Sequence, residues 1–239
     1  MSGHAAELLD LPRRAGERLR RRWLPSLLLG AWRAQESLAV TGARLSGLLR
    51  RPLHVECYYA LDCPYGAMAL QALSNIAARH GAVIDARLIR RETAGGQPEP
   101  AVRPAYELLD ARRLARRYGL PAPAGRVPDP ERLRHYESRA VAAEQSGRGI
   151  EFAVEALRQL WRARTDDPSA DDGANSPIGA GESAQLPDTA AVEAWLARNR
   201  HRLQQRGHWS VPSVRIAGQW FLVHERLEQI DAWLARLAP

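Results

Sequence analysis

The sequence contains no lysine, and all 34 of its basic residues are arginine. A formal net charge of +7 would point to nucleic-acid binding if the basic residues were spread over a recognition surface. Residues 1–51 instead hold ten Arg against four acidic residues, so the rest of the chain is nearly neutral. No stacking aromatics alternate with the arginines, and no groove-reading motif is present. We therefore expect no nucleic-acid partner.

Cysteine is scarce as well, with only Cys57 and Cys63 in the chain. Two cysteines are too few for a disulfide framework and lack metal-site spacing, so we expect no bound metal. This usage favours a reducing, cytoplasmic location.

Long hydrophobic runs are also missing. The apolar part of residues 13–33 covers about ten positions, which is too short to span a bilayer. It also lies too far inside the chain for an ordinary secretory signal. Peripheral contact of residues 13–33 with a membrane surface stays open.

The chain from residue 52 onward begins with a strand, a helix and a second strand. "LHVECYY" alternates apolar and polar residues with the period of two that is typical of a strand. Pro64 suits a first helical position, and an apolar stripe continues from there to His80. "AVIDARLIR" follows as a second strand. This order predicts the βαβ unit of a parallel pair.

Helical patterns fill the middle of the chain, and a helix–strand–strand–helix order closes it. The helices belong to a predicted insertion at about 100–187. Within it, residues 165–187 are small, acidic and rich in helix breakers, which predicts a flexible loop. Residues 1–51 have the pattern of an Arg-rich amphipathic helical extension. The whole predicts an α/β, thioredoxin-like domain at 52–239, interrupted by an all-helical subdomain.

Cys63 directly precedes the predicted helix start at Pro64, which makes it the candidate catalytic residue. The unpaired N–H groups and positive dipole at a helix N-terminus lower the pKa of a thiol. The neighbouring Asp62 raises that pKa by like-charge repulsion. The sequence leaves the sign of the net shift open, and an idle cysteine on a turn is the alternative.

A second reactive thiol is missing from "CPYG", because Gly66 stands where a C-x-x-C box has its resolving cysteine. Cys57 lies with the apolar face of the first strand, which is typical of a buried structural thiol. The strand extends away from the turn, so we expect no disulfide between Cys57 and Cys63. If Cys63 is active, it acts as a single thiol.

"SVPSV" near the chain end is the other candidate site segment. Pro212 has no N–H for a strand ladder. A cis Val211–Pro212 bond would turn the Val211 backbone groups outward, where an extended peptide can bind. Pro212 alone is a weak indication of a binding site, and it supports one only in combination with Cys63.

Three segments together resemble a known family. "HVECYYALDCPYGAMALQALSNIAARHG", "AYELLDARRLARRYGLP" and "GHWSVPSVRIAGQWFLVHERLEQIDAWL" are similar to the DsbA-like thioredoxin superfamily. They resemble the branch that holds 2-hydroxychromene-2-carboxylate isomerases and kappa-class glutathione transferases. The resemblance covers about residues 52–237 and implies a thioredoxin-like fold, glutathione as cofactor and a homodimer.

The resemblance also implies roles for the thiol box and the proline loop. Cys63 falls where the family places the Ser or Cys that faces the glutathione sulfur, with Pro64 and Tyr65 after it. Val211, before the implied cis Pro212, would pair with the glutathione backbone.

Further implied site residues lie near the start of the last helix and on the inserted helix. Glu225 and Arg226 would hold the γ-glutamyl end. Tyr106, Asp110 and Arg113 would line the substrate cleft, with a solvated helix face as the alternative. The chain departs from the family's Gly-polar-Asp-Arg-Leu run, because Val223 and His224 precede Glu225 here.

Three functions follow from this sequence. The first is a glutathione-associated isomerase or oxidoreductase that acts on a small electrophilic substrate. The second is a catalytically silent thioredoxin-fold module that binds a protein partner or a membrane surface through its N-terminal helices. The third is a monothiol disulfide exchanger, which requires Cys63 to be exposed and acidic.

Overall fold

The computed structural model describes residues 40–42, 52–91, 102–123, 126–162 and 186–238. Most of the predicted extension at 1–51 and of the predicted loop at 165–187 lies outside these ranges. Both therefore remain predictions.

The described chain alternates between strands and helices. In order, its elements are β1 His54–Tyr59, α1 Pro64–Arg79, β2 Val83–Leu88, α2 Arg103–Tyr118, α3 Pro130–Gln145, α4 Gly149–Leu160, α5 Thr189–Gln205, β3 Ser213–Ile216, β4 Gln219–Leu222 and α6 Leu227–Leu237.

The strands form one mixed sheet in the order β2-β1-β3-β4. β1 pairs in parallel with β2, as the βαβ pattern predicts, and antiparallel with β3, which continues antiparallel into β4. At the centre of the sheet, Cys57 lies opposite Ala86 on one side and Val214 on the other. This topology confirms the predicted α/β, thioredoxin-like fold.

Two apolar cores lie against the sheet. One joins β1 and β3 to α1 and α6, with Val55, Leu73 and Ile230 among its fully buried members. The other packs α1 against α3 and α4, two of the helices between β2 and β3. Because α1 contributes to both cores, the turn before Pro64 is held from two sides.

A partly buried carboxylate links the inserted helices to the sheet. Glu144 of α3 accepts hydrogen bonds from the Leu88 N–H, from the Trp195 indole at 2.6 Å and from the Asn199 amide at 3.1 Å. The same Asn199 amide donates to the Leu88 carbonyl at 3.0 Å. One side chain therefore links β2, α3 and α5 near the end of β2 that leads to the candidate site.

Candidate functional site

Cys63 occupies the position just before α1. Its carbonyl accepts hydrogen bonds from the N–H groups of Gly66 at 3.1 Å and Ala67 at 3.3 Å, which begin the helix. The side chain is fully buried, and Sγ lies 3.7 Å from the Val211 carbonyl oxygen, within reach of a weak S–H hydrogen bond. The sequence-predicted thiol thus lies next to the sequence-predicted proline loop.

Burial decides the protonation state of Cys63. Loss of solvation raises the pKa of the thiol to about 11, although the Arg91 charge and the Gly66 N–H act in the opposite direction. The charges of Asp62 and Glu107 raise it further. The sign that the sequence left open is therefore upward, because burial outweighs the helix N-terminus. Cys63 is a neutral thiol at neutral pH.

Cys57 has the structural character that its strand position predicts. It is fully buried on β1, and burial raises the pKa of its thiol to about 12. Both cysteines are free, and no disulfide joins Cys57 to Cys63.

The Val211–Pro212 peptide bond is cis. The Pro212 carbonyl accepts a hydrogen bond from the Val223 N–H at 3.0 Å, so the proline loop is fastened to the end of β4. Within the described parts of the chain, the Val211 N–H has no hydrogen-bond partner. That group is available to a ligand.

A cavity of about 950 Å³ opens beside this loop. Four sequence-predicted residues line it, namely Tyr65, Tyr106, Val211 and Glu225. The other lining residues include Arg90, Arg91, Val102, Arg103, Glu107, Arg200, Leu203, Trp209, Leu222 and His224. The structure thus brings Tyr65 of the thiol box, the proline loop, α2 and the segment before the last helix around one space, whereas Cys63 is fully buried and is not among the lining residues.

The remaining predicted residues stand apart from the cavity wall. Pro64 and Pro212 are buried next to Cys63 and Val211, and Asp110 accepts a hydrogen bond from the Tyr65 hydroxyl at 3.0 Å. Arg113 and Arg226 are exposed and do not belong to the cavity lining. Their predicted contacts with substrate and with the γ-glutamyl end gain no support from their positions.

Known structures with this architecture include a 2-hydroxychromene-2-carboxylate isomerase, matched at 18% identity with a TM-score of 0.54. The match covers 77% of this chain and 96% of the isomerase. A probable DsbA oxidoreductase from Streptomyces coelicolor matches at 19% identity and the same TM-score of 0.54, over 77% of this chain and 89% of the oxidoreductase. The chain has the DsbA-like thioredoxin fold. No protein-family model and no curated protein matches the sequence.

One group of the DsbA-like cleft escaped the sequence reasoning as a functional residue. His224 lines the cavity, and its ring stacks on Tyr65 with the centroids 4.1 Å apart. Its Nδ1 is buried and has no partner among the described residues, and burial lowers the pKa of the imidazole. The available signal was its place in "VHERL", directly before the predicted Glu225.

An ion-pair network borders the Cys63 turn and was also missed. Arg91 Nε lies 3.0 Å from Asp62 Oδ2, and Arg91 Nη1 lies 2.6 Å from Glu107 Oε2. Arg103 completes the pairing of the buried Glu107 at 2.7 Å, and these arginines hold the pKa of its carboxyl below its usual value despite burial. The signal was the position of Arg91 just after β2, at the strand end that faces the start of α1.

Trp209 marks the mouth of the cavity. It is 82% exposed, and its ring stacks on His208, which in turn stacks on Trp220. This exposed aromatic ring supplies apolar contact area at the cavity wall.

Among the described residues, no group of three or more His, Cys, Asp or Glu side chains is placed to hold a metal ion. Within the same residues, every helix is too short or too polar to cross a membrane.

Proposed function

We propose that the protein is a glutathione-associated enzyme that acts on a small electrophilic substrate, as an isomerase or oxidoreductase of the DsbA-like fold. The observation that carries this proposal is the cleft itself: Val211, whose N–H has no partner among the described residues, lines a cavity next to the neutral thiol of Cys63, and no second thiol stands in the box. A function that needs no resolving cysteine fits this arrangement best. The fold similarity to a 2-hydroxychromene-2-carboxylate isomerase is consistent with it.

The residues of the cleft fit glutathione. A volume of about 950 Å³ lies in the range of small-ligand pockets and leaves room for a second molecule. Glutathione carries two carboxylates and one ammonium group, and the cavity wall has Arg90 and Arg103 as cations and Glu225 as an anion. Both arginines also form ion pairs within the protein, Arg90 with Glu137 and Glu193 and Arg103 with Glu107. When bound, glutathione supplies a nucleophilic thiol that adds to an unsaturated carbonyl compound and leaves after a bond rotation.

Each protein group then has a binding or positioning role. The Val211 N–H donates to the tripeptide backbone. Cys63 holds the Val211 carbonyl through its S–H group, since a neutral and enclosed thiol is a weak donor and not a nucleophile. Glu225, which is exposed at the cavity wall, binds the ammonium end.

Calorimetric titration with glutathione tests this proposal. We expect micromolar to low-millimolar binding that survives in Cys63→Ser, because serine keeps a donor for the Val211 carbonyl. Cys63→Ala removes this donor, and we expect affinity to fall by less than about tenfold, since the hydrogen bond is weak. Arg113→Ala is a matched surface control, because Arg113 stays outside the cavity wall. A failure of the wild-type protein to bind glutathione would refute the proposal.

A catalytically silent module is the second candidate, and the burial of Cys63 favours it. A thiol that is 0% exposed with a pKa of about 11 has little reactivity of its own at neutral pH. Such a module would bind a protein or a membrane surface through residues 1–51. Absent glutathione binding combined with pull-down of a partner that depends on residues 1–51 would support it.

The monothiol disulfide exchanger is the least favoured function. It requires an exposed and acidic Cys63, and the structure gives this thiol neither property. The expected homodimer and cytoplasmic location remain proposals, which sedimentation and cell fractionation would test.

A further inference from the structure

A thiol ligand in this cleft needs a base, and Cys63 cannot serve. A thiol with a pKa of about 8.5 is only a few per cent ionised at neutral pH, so its activation requires a group that takes the proton. Cys63 is itself protonated and donates toward the Val211 carbonyl. Two protonated thiols do not activate each other.

The other titratable groups of the cavity wall are engaged or poorly matched. The Tyr65 hydroxyl donates to Asp110 at 3.0 Å, and burial raises the pKa of Tyr65. Glu107 is bound by Arg91 and Arg103, which makes its carboxylate a weaker base still. A carboxylate is in any case a much weaker base than a thiolate, whereas an imidazole lies closer to a thiol in basicity.

His224 is placed where it can accept the proton of a bound thiol. The N–H of the preceding residue, Val223, donates to the Pro212 carbonyl, so the chain directly before His224 is fastened to the proline loop. The ring is fixed by its stack on Tyr65. Nδ1 is enclosed, while Nε2 lies on the side of Glu225, 3.8 Å from its carboxylate oxygen. Nε2 is therefore the nitrogen left for a ligand in the cavity.

We propose that His224 is the proton acceptor for the thiol of a bound glutathione. His224 Nε2 takes the proton: the S–H bond breaks with its electron pair left on sulfur, and an N–H bond forms. This inference rests on the proposed function and adds a residue to it.

The surroundings of His224 suit a base that is neutral at rest and charged after the transfer. Burial lowers the pKa of the imidazole and keeps it unprotonated, so that its lone pair is available. The carboxylates of Glu225, Asp110 and Glu107 act in the opposite direction and offset part of the penalty that burial places on the imidazolium. The thiolate left beside the ring after the transfer adds a further negative charge that stabilises the imidazolium. Tyr65, on the stacked face, is neutral and adds no charge.

The test follows the ionisation of the bound thiol and not turnover. Glutathione at saturating concentration is titrated between pH 5 and 10 while thiolate absorbance near 240 nm is recorded, for the wild-type protein and for His224→Gln. We expect at least tenfold more bound thiolate at pH 7 in the wild type than in the variant. His224→Phe keeps an aromatic ring on Tyr65 but has no base, and it should behave like His224→Gln. His201→Gln, an exposed position on α5, is the matched control and should behave like wild type.

Two failures are distinguishable. If both His224 variants are folded and bind glutathione, and the bound thiol titrates as in wild type, the inference is overturned and the proposed function stands. If calorimetry shows no binding of glutathione by the wild-type protein, both are overturned. Binding of S-methylglutathione that is equal in wild type and His224→Phe would further support a role confined to the thiol proton.

Discussion

The protonation state of Cys63 predicts how the protein reacts with an alkylating agent. Thiolate is the reactive species, and a pKa of about 11 leaves only about one thiol in 10,000 ionised at pH 7. A free thiol with a pKa of about 8.5 is about 3% ionised at the same pH. Ionisation alone should therefore make Cys63 react about 300 times more slowly than free cysteine, and its complete burial slows the reaction further.

The assay is iodoacetamide labelling followed by intact-mass measurement, from pH 6 to 11. Cys57→Ala removes the other thiol, so that each added mass reports Cys63 alone. We expect the rate to rise continuously with pH and to show no plateau near neutrality. In urea, the same protein should label at the rate of free cysteine, which controls for reagent and thiol integrity.

A labelling rate that levels off below about pH 8 would refute this reasoning. It would mean that the positive end of α1 and Arg91 outweigh burial, contrary to the order of effects around the enclosed thiol. A rate close to that of free cysteine in the folded protein would refute it equally, because it would place Sγ in solvent.

Three other perturbations test the framework around the site. Native Cys63 holds its proton up to about pH 11, whereas the unfolded chain loses it near pH 9, so up to about 3 kcal/mol of stability is present below pH 9 and lost as pH approaches 11. Urea unfolding of Cys63→Ala should therefore show a free energy of unfolding that falls less steeply with alkaline pH. An equally steep fall in the wild type and the variant would contradict this. Glu144→Ala leaves three N–H donors unpaired and should lower the free energy of unfolding by about 3 kcal/mol or more. A loss below about 1 kcal/mol would contradict the role of Glu144 in linking β2, α3 and α5. Arg91→Gln should lower the free energy of unfolding by about 3 kcal/mol, because it breaks the ion pairs with Asp62 and Glu107. It should also slow Cys63 alkylation further, because the cation that lowers the pKa of this thiol is lost. Faster alkylation in the folded variant would contradict this prediction.

The backbone plan was predictable because it depends on local pattern. The alternation in β1 and the proline before the apolar stripe each constrain a few neighbouring residues, and Pro64 begins α1 as expected. The parallel pairing of β1 with β2 followed from the βαβ pattern, whereas the pairing of β1 with β3 followed only from resemblance, since it depends on contacts between distant parts of the chain. The convergence of Tyr65, Val211 and Glu225 on one cavity had the same origin.

The chemistry of the site was less accessible to sequence reasoning because it depends on burial. "DCPYG" allows a lowered or a raised pKa of the Cys63 thiol, and only the packing of the Val211 loop and Tyr65 over it decides for the raised one. His224 looked like a departure from the family pattern. Its stack on Tyr65 joins residues 159 positions apart in the chain, which no local spacing reveals.

The thiol box and the cavity wall form one consistent arrangement. Gly66 removes the resolving thiol, and burial keeps Cys63 protonated, so the box itself can neither exchange disulfides nor accept a proton. A cleft with only the Gly66 position and the protonated Cys63 would bind a thiol ligand without activating it. The imidazole of His224, fixed on Tyr65 at the wall of the same cavity, supplies the proton acceptor that the box lacks. If the His224 variants leave the bound thiol unchanged, His224 is not its proton acceptor, and the proposed glutathione function stands without that role. The silent module becomes the better account of the protein only if the wild-type protein binds no glutathione.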